Sequence, residues 1–139
     1  MTATVFGLDA GASTPAGFAS GSVRATLRVE GAVAFAAAAA LYAQAGLSWP
    51  LFALLFLAPD LAMLGYWIGA RAGAVAYNVA HTYALALPLA LAGLLTGEPA
   101  VLAVALIWVA HIGFDRALGY GLKYPSAFGD THLGRVGRR

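Results

Sequence analysis

Four apolar segments joined by very short connections constrain this chain more than any other feature of its sequence. The connections 70–72 and 96–98 leave room only for antiparallel neighbours. At about 1.5 Å of rise per residue, even the shortest segment spans about 26 Å, the lower end of what crosses a bilayer. The pattern predicts an all-α, integral membrane four-helix bundle with helices at about 31–47, 51–69, 73–95 and 99–122.

Composition supports a membrane rather than an aqueous environment. Hydrophobic residues make up 61% of the chain and charged residues 10%, against roughly 25% charged in a soluble domain. Such a chain cannot cover its core with polar surface, so the lipid bilayer is the expected partner. The absence of cysteine excludes a disulfide framework, a thiolate metal site and a catalytic thiol. A net charge of +2 does not favour nucleic-acid binding.

The basic residues predict the orientation, because Lys and Arg concentrate on the cytoplasmic side of membrane proteins. A single threading puts all eight on one side, and the connections on the other side carry none. The prediction is N-in, C-in, with both termini cytoplasmic. Aromatic residues agree, with Trp49 expected at the outer interface and Tyr77 at the inner one. The eight basic residues are Arg24, Arg28, Arg71, Arg116, Lys123, Arg135, Arg138 and Arg139.

The chain as a whole is predicted to consist of an N-terminal tail and a single domain. Residues 1–22, rich in small and polar residues, are predicted to be a disordered tail. Residues 23–139 are predicted to form one transmembrane domain that ends in a basic cytoplasmic tail, 123–139. Gly65, Gly69 and Gly73 recur at a spacing of four, which favours close helix packing in lipid.

Four ionisable side chains lie inside the apolar segments, where each costs a few kcal/mol and needs an explanation. Counted from the cytoplasmic end of each helix, Asp60 and His81 both lie about 12 Å deep. His111 lies about 16 Å deep and Asp115 about 10 Å, on one face of the last helix. Pro59 loosens the turn before Asp60. We therefore predict one cytoplasm-proximal cluster of two carboxylates and two imidazoles.

Such a cluster could bind a divalent metal through His81, His111, Asp60 and Asp115, or it could use the same residues as catalytic acid and base. The sequence leaves the cofactor unknown beyond this possible divalent metal. Simpler readings stay open at this stage: Asp115 could pair with Arg116 or Arg71, and His81 could bond only a tyrosine or a helix carbonyl. Accessory positions around the predicted site are Glu30, Asn78, Arg116 and His132.

Several blocks of sequence resemble a known family. They are LRVEG (27–31), FLAPDLAMLGY (56–66), GAVAYNVAHTY (73–83), HIGFDRALGYGLKYP (111–125) and DTHLGR (130–135). Together they resemble the small bacterial membrane proteins grouped as domain of unknown function 4260, over nearly all of the chain beyond residue 23. The resemblance implies a multi-pass protein of the bacterial cytoplasmic membrane and carries no catalytic residues. It also implies that the segment with Asp130 and His132 belongs to the folded unit.

The first functional hypothesis is a membrane-embedded enzyme that acts on a lipid-like or amphiphilic small molecule. The alternatives are a transporter or proton-relay component, a haem protein with His81 and His111 as axial ligands, and an accessory subunit of a larger membrane complex. A transporter of only four helices would have to form a homo-oligomer.

Overall fold

The computed structural model describes residues 17–137 of the chain and confirms the predicted class, a mostly helical protein with four stretches long and apolar enough to cross a membrane. These spans are Gly21–Gln44, Trp49–Trp67, Ala70–Thr96 and Pro99–Leu118. The elements are α1 (Gly21–Gln44), α2 (Trp49–Leu55), a 3₁₀ helix (Ala58–Trp67), α3 (Ala70–Ala80), α4 (Tyr83–Thr96), α5 (Pro99–Leu118), β1 (Asp130–Thr131) and β2 (Gly134–Arg135).

Helix α1 begins at Gly21, well before the predicted start at Gly31. Residues 1–16 of the predicted disordered tail lie outside the described residues. Residues 17–20, also assigned to that tail, are instead attached to the far end of the chain: the Tyr124 hydroxyl donates to the Gly17 carbonyl at 2.6 Å, and the Ala19 amide to the His132 carbonyl at 2.7 Å. Hydropathy did not detect this first part of α1 because it is not apolar.

The second and third spans are each divided into two helices. In the second, regular α-helix ends at Leu55 and a 3₁₀ helix continues from Ala58. Pro59 accounts for the change, because it lacks an N–H and its ring collides with the carbonyl four residues earlier, at Leu55. The last helix ends at Leu118 rather than at the predicted position 122, because Gly119 adopts a left-handed conformation (φ 98°) that terminates it.

Helix α5 is the centre of the bundle and packs against α1, α2 and α4. The closest approach is to α1, where Gly31 meets Gly113: a Cβ on Gly113 would lie 2.7 Å from the Gly31 carbonyl oxygen. The 3₁₀ helix packs on α3 through Gly65 and Gly73, as their spacing predicted, since a Cβ on Gly65 would lie 3.3 Å from the Gly73 Cα. Small residues thus bring helices of one chain together.

The described part of the predicted basic tail, residues 123–137, is folded. Strands β1 and β2 form an antiparallel pair, Lys123 bridges to Thr131, and Leu133 is fully buried. We call residues 119–136 the C-terminal hairpin. Asn78 fixes it to α3, donating to the Lys123 carbonyl at 2.9 Å and accepting from the Lys123 amide at 2.6 Å.

Candidate metal centre

Three separate parts of the fold bring the four predicted groups together. Asp60 lies in the first turn of the 3₁₀ helix, and His81 lies at the break between α3 and α4. His111 and Asp115 lie one turn apart on α5. The predicted convergence of the four groups is confirmed, because the ligand atoms of the four side chains all lie within 4.8 Å of one another.

The break at His81 is made by local capping. The Tyr77 carbonyl accepts the His81 backbone amide at 2.9 Å and ends α3. Thr82 is extended, and its hydroxyl accepts the Ala84 amide at 3.2 Å and starts α4. The predicted helix 73–95 is therefore interrupted at Thr82 and not at Pro88, which lies inside α4. Non-helical backbone at membrane depth is tolerated where it is buried in protein, as here.

The distances within the cluster are short and similar. His81 Nε2 lies 3.0 Å from His111 Nε2, 3.3 Å from Asp60 Oδ1 and 3.6 Å from Asp115 Oδ2. His111 Nε2 lies 3.6 Å from the Asp60 oxygen and 3.8 Å from the Asp115 oxygen. Both imidazoles are almost completely buried, with exposed fractions of 2% for His81 and 1% for His111. Four donor atoms thus surround one small volume.

The hydrogen-bond network fixes the protonation of one imidazole. The Tyr77 carbonyl lies 2.8 Å from His81 Nδ1 and can only accept, so neutral His81 carries its proton on Nδ1. Its Nε2 is then unprotonated, and the lone pair of this nitrogen faces the other three groups of the cluster. The other imidazole is less satisfied, because the Nδ1 of His111 is buried without a hydrogen-bond partner among the described residues.

Tyr77 makes three contacts with the cluster, through its carbonyl, its ring and its hydroxyl. Besides accepting from His81, it stacks its ring on that imidazole, with centroids 3.6 Å apart and planes 10° apart. Its hydroxyl donates to Asp115 Oδ2 at 3.0 Å. The tyrosine therefore orients one imidazole and one carboxylate. It was expected at the inner membrane interface, but it is buried beside the cluster.

A cavity of about 370 Å³ lies next to the carboxylates. Asp60 and Asp115 form part of its wall, while the two imidazoles lie behind them. The cavity lies between the 3₁₀ helix and α5, and the C-terminal hairpin closes one end. The remaining wall is formed by Met63, Tyr77, Phe114, Leu118, Tyr120, Lys123, Phe128, Gly129 and Val136.

The predicted accessory residues have different positions. Arg116 contacts the cluster through the backbone of His81. Its guanidinium donates to the His81 carbonyl at 3.2 Å and lies 2.7 Å from His132 Nε2. His132 is part of the folded unit, as the family resemblance implied. Asn78 holds the hairpin rather than the cluster. Glu30 is exposed and makes no hydrogen bond or ion pair among residues 17–137.

The simpler reading of Asp115 as an ion-pair partner of arginine is not supported. Within the described part of the chain, its only basic neighbours at 4.0 Å or less are His81 and His111. The simpler reading of His81 is incomplete, since it does bond a helix carbonyl but also faces the other three groups.

Sequence reasoning did not select two residues of this site, Tyr77 and Lys123. Tyr77 lies four residues before His81, so the shared helix face could have found it. No local sequence pattern placed Lys123 at the site. Its ammonium donates to the Phe128 carbonyl at 2.9 Å, and the turn of the hairpin carries it to the cavity wall. Burial lowers the pKa of Lys123, and the charges of Asp115 and Asp60 oppose that shift.

Comparison with known proteins identifies the family. The model of the family described as "Domain of unknown function (DUF4260)" matches residues 24–136, so the chain belongs to this family. No curated protein and no solved structure matches the chain.

Proposed function

We propose that this member of the family is a membrane-embedded, metal-dependent enzyme of the bacterial cytoplasmic membrane, and that its substrate is an amphiphilic small molecule drawn from the bilayer. Asp60, His81, His111 and Asp115 would hold one divalent metal ion. The N-in, C-in orientation would put the site in the cytoplasmic half of the membrane.

One observation carries the proposal: the four donor atoms converge on one small volume, close to the spacing of the ligands of a metal ion. A tetrahedral ion at about 2.0–2.2 Å from each ligand holds its ligands about 3.3–3.6 Å apart. The five separations between the imidazole nitrogens and their neighbours run from 3.0 to 3.8 Å, and all four donor atoms lie within 4.8 Å of one another. Two imidazoles with two carboxylates suit a borderline divalent ion such as zinc, iron or manganese.

The short separation of the two imidazole nitrogens favours a cation between them. If His111 were neutral and protonated on Nε2, it could donate to His81, and its buried Nδ1 would be an acceptor without a donor; with Nε2 on a metal, the same Nδ1 would be a donor without an acceptor. If it were protonated on Nδ1, two nitrogen lone pairs would face each other at 3.0 Å. A cation between the two nitrogens removes that repulsion.

The chemistry follows from the arrangement. A bound divalent ion would lower the pKa of a coordinated water or polarise an oxygen of the substrate. The chain itself would hold the two imidazoles with the lone pairs of their Nε2 atoms toward the ion, and Tyr77 would keep one Asp115 oxygen in place. The cavity wall would carry the apolar part of a substrate while its polar end reaches the carboxylates.

The distances argue against the haem alternative. Axial imidazoles bind on opposite faces of the iron, which would separate their nitrogens by about 4 Å with the porphyrin between them. At 3.0 Å, the two nitrogens leave no room for a macrocycle.

The decisive experiment measures metal content. The chain is purified in a nonionic detergent with a tag that contains no histidine, and metals are determined by mass spectrometry. We expect about one equivalent of a transition metal in the wild type and less than a tenth of that in His111→Phe and Asp115→Leu.

Glu30→Gln is the matched control, since it removes an exposed carboxylate outside the cluster and should retain the metal. Metal-free wild-type protein that cannot be loaded with zinc, iron or manganese would refute the proposal. Retention of metal by His111→Phe would refute the ligand assignment.

A further inference from the structure

The cavity beside the cluster has a buried ammonium group on its wall. Lys123 is only 7% exposed. Its ammonium donates to the Phe128 carbonyl and lies 3.7 Å from the Phe128 ring centroid and 4.7 Å from that of Tyr77. No carboxylate lies within 4.0 Å of this ammonium in the part of the chain that the structure describes. The charge is stabilised by dipoles and rings but has no ion-pair partner.

A second, half-buried cation adds to the imbalance. The guanidinium of Arg116 contacts His132 and the His81 carbonyl, and it too has no carboxylate within 4.0 Å among residues 17–137. With a divalent ion bound, the charges of Asp60 and Asp115 are already balanced. Lys123 and Arg116 then remain as uncompensated positive charge, which is costly in a low-dielectric site.

The opposite side of the cavity is apolar. Met63 from the 3₁₀ helix and Phe114 and Leu118 from α5 form a wall within the membrane span, and Leu118 is 52% exposed. A volume of about 370 Å³ is in the range of small-molecule sites and accommodates a headgroup with the first part of one chain.

We infer that the cavity binds a single-chain amphiphile with an acidic headgroup, a carboxylate or a phosphate monoester. The acidic group lies at Lys123 and the metal, and the alkyl chain lies along Met63, Phe114 and Leu118. The inference rests on the proposed function for the metal and deepens it by giving the charge of the substrate. An anion at this position neutralises the excess charge that the protein leaves unpaired.

The test compares headgroups on one chain length. Octanoate, octyl phosphate, octanol and octylammonium are titrated into the full-length protein in nonionic detergent, with binding followed by calorimetry and metal content measured on the same sample. We expect saturable binding of one or both acids, at least tenfold tighter than octanol or octylammonium. Preference between octanoate and octyl phosphate identifies which acid the site takes.

Three variants locate the binding. Lys123→Met should weaken acid binding at least tenfold, Lys123→Arg should keep the preference for acids, and Leu118→Trp should abolish saturable binding by filling the cavity. Arg71→Met, which removes a basic residue that does not line this cavity, is the matched control and should leave binding unchanged. If Lys123→Met does not fold, the headgroup series on the wild type together with Leu118→Trp still tests the inference that the cavity binds an acidic headgroup.

The two proposals fail in different ways. Metal-loaded protein that binds octanol or octylammonium as tightly as the acids overturns the acidic-headgroup inference and leaves the metal site standing. Unchanged acid affinity in folded Lys123→Met does the same. Protein that takes up no metal overturns the proposed function whatever the titrations give.

Discussion

The Nε2 atoms of His81 and His111 lie 3.0 Å apart inside the bundle, although thirty residues separate the two side chains in sequence. Two neutral imidazoles can share that distance only if one donates a proton to the other or if a cation lies between them. Because the Tyr77 carbonyl occupies Nδ1 of His81, the arrangement depends on the state of His111. The stability of the bundle should therefore depend on whether the cluster is complete.

We predict that His111 and Asp115 contribute to stability as one unit. Replacing either alone leaves the remaining groups buried with an incomplete set of partners, which costs about 3–5 kcal/mol for a broken buried pair. Thermal unfolding in detergent should show His111→Phe and Asp115→Leu each less stable than the double variant. The coupling free energy should therefore be larger than the cost of either single change, about 3 kcal/mol or more. Free-energy changes that simply add within about 0.5 kcal/mol would contradict the coupling.

Tyr77→Phe should weaken metal binding without disrupting the fold. The change removes the hydroxyl that donates to Asp115 at 3.0 Å but keeps the ring that stacks on His81. Loss of such an orienting hydrogen bond typically reduces metal affinity about 10–100-fold. Competition with a metal-sensitive chelating dye measures the change.

Tyr83→Phe is the control for that prediction. The Tyr83 hydroxyl is buried without a hydrogen-bond partner among the described residues, so its removal should leave metal affinity within about twofold of wild type. Equal losses in the two variants would mean that the Tyr77 hydroxyl has no specific role in metal binding.

His132 should make the C-terminal hairpin sensitive to acid. Its Nδ1 accepts the Leu122 amide at 2.8 Å, and its Nε2 faces the Arg116 guanidinium at 2.7 Å. Burial and the charge of Arg116 lower the pKa of His132 below its ordinary value of 6.5. The unfolded chain therefore takes up the proton first as the pH falls, so the stability contributed above about pH 6.5 is lost below it.

The measurement compares melting temperatures of wild type and His132→Gln from about pH 8 to about pH 5. The wild type should lose more stability over this range than the variant, because both proteins share every other titrating group. Parallel curves for the two proteins would show that His132 does not contribute to the acid sensitivity.

The orientation of the bundle is tested with topology reporters. Fusions at the two ends of the chain should report a cytoplasmic location, since all eight basic residues fall on that side under the predicted threading. A reporter inserted at Gly97, in the connection between α4 and α5, should report the opposite side. A cytoplasmic signal from Gly97 would reverse the orientation and move the metal centre to the outer half of the membrane.

Local sequence determined the parts of this protein that depend on periodicity and length. Continuous apolar segments fixed four spans, and short connections made neighbouring spans antiparallel. Depth counted along each helix at about 1.5 Å per residue put Asp60, His81, His111 and Asp115 in one layer. The four groups meet even though Asp60 lies in a 3₁₀ helix, which rises about 2.0 Å per residue. Helical spacing also gave His111 and Asp115 a common face. Four groups confined to one thin layer of a small bundle are expected to lie close together.

Tertiary structure decided the features that depend on contacts between distant segments. The Thr82 cap rotates the chain at His81, and only packing against α5 aims that imidazole at His111. The hairpin has no helical period, so sequence could not show that it returns Lys123 to the cavity or binds Gly17 and Ala19. Helix geometry is set by neighbours within one turn, whereas the positive charge of the cavity comes from Lys123, whose position depends on contacts with distant segments.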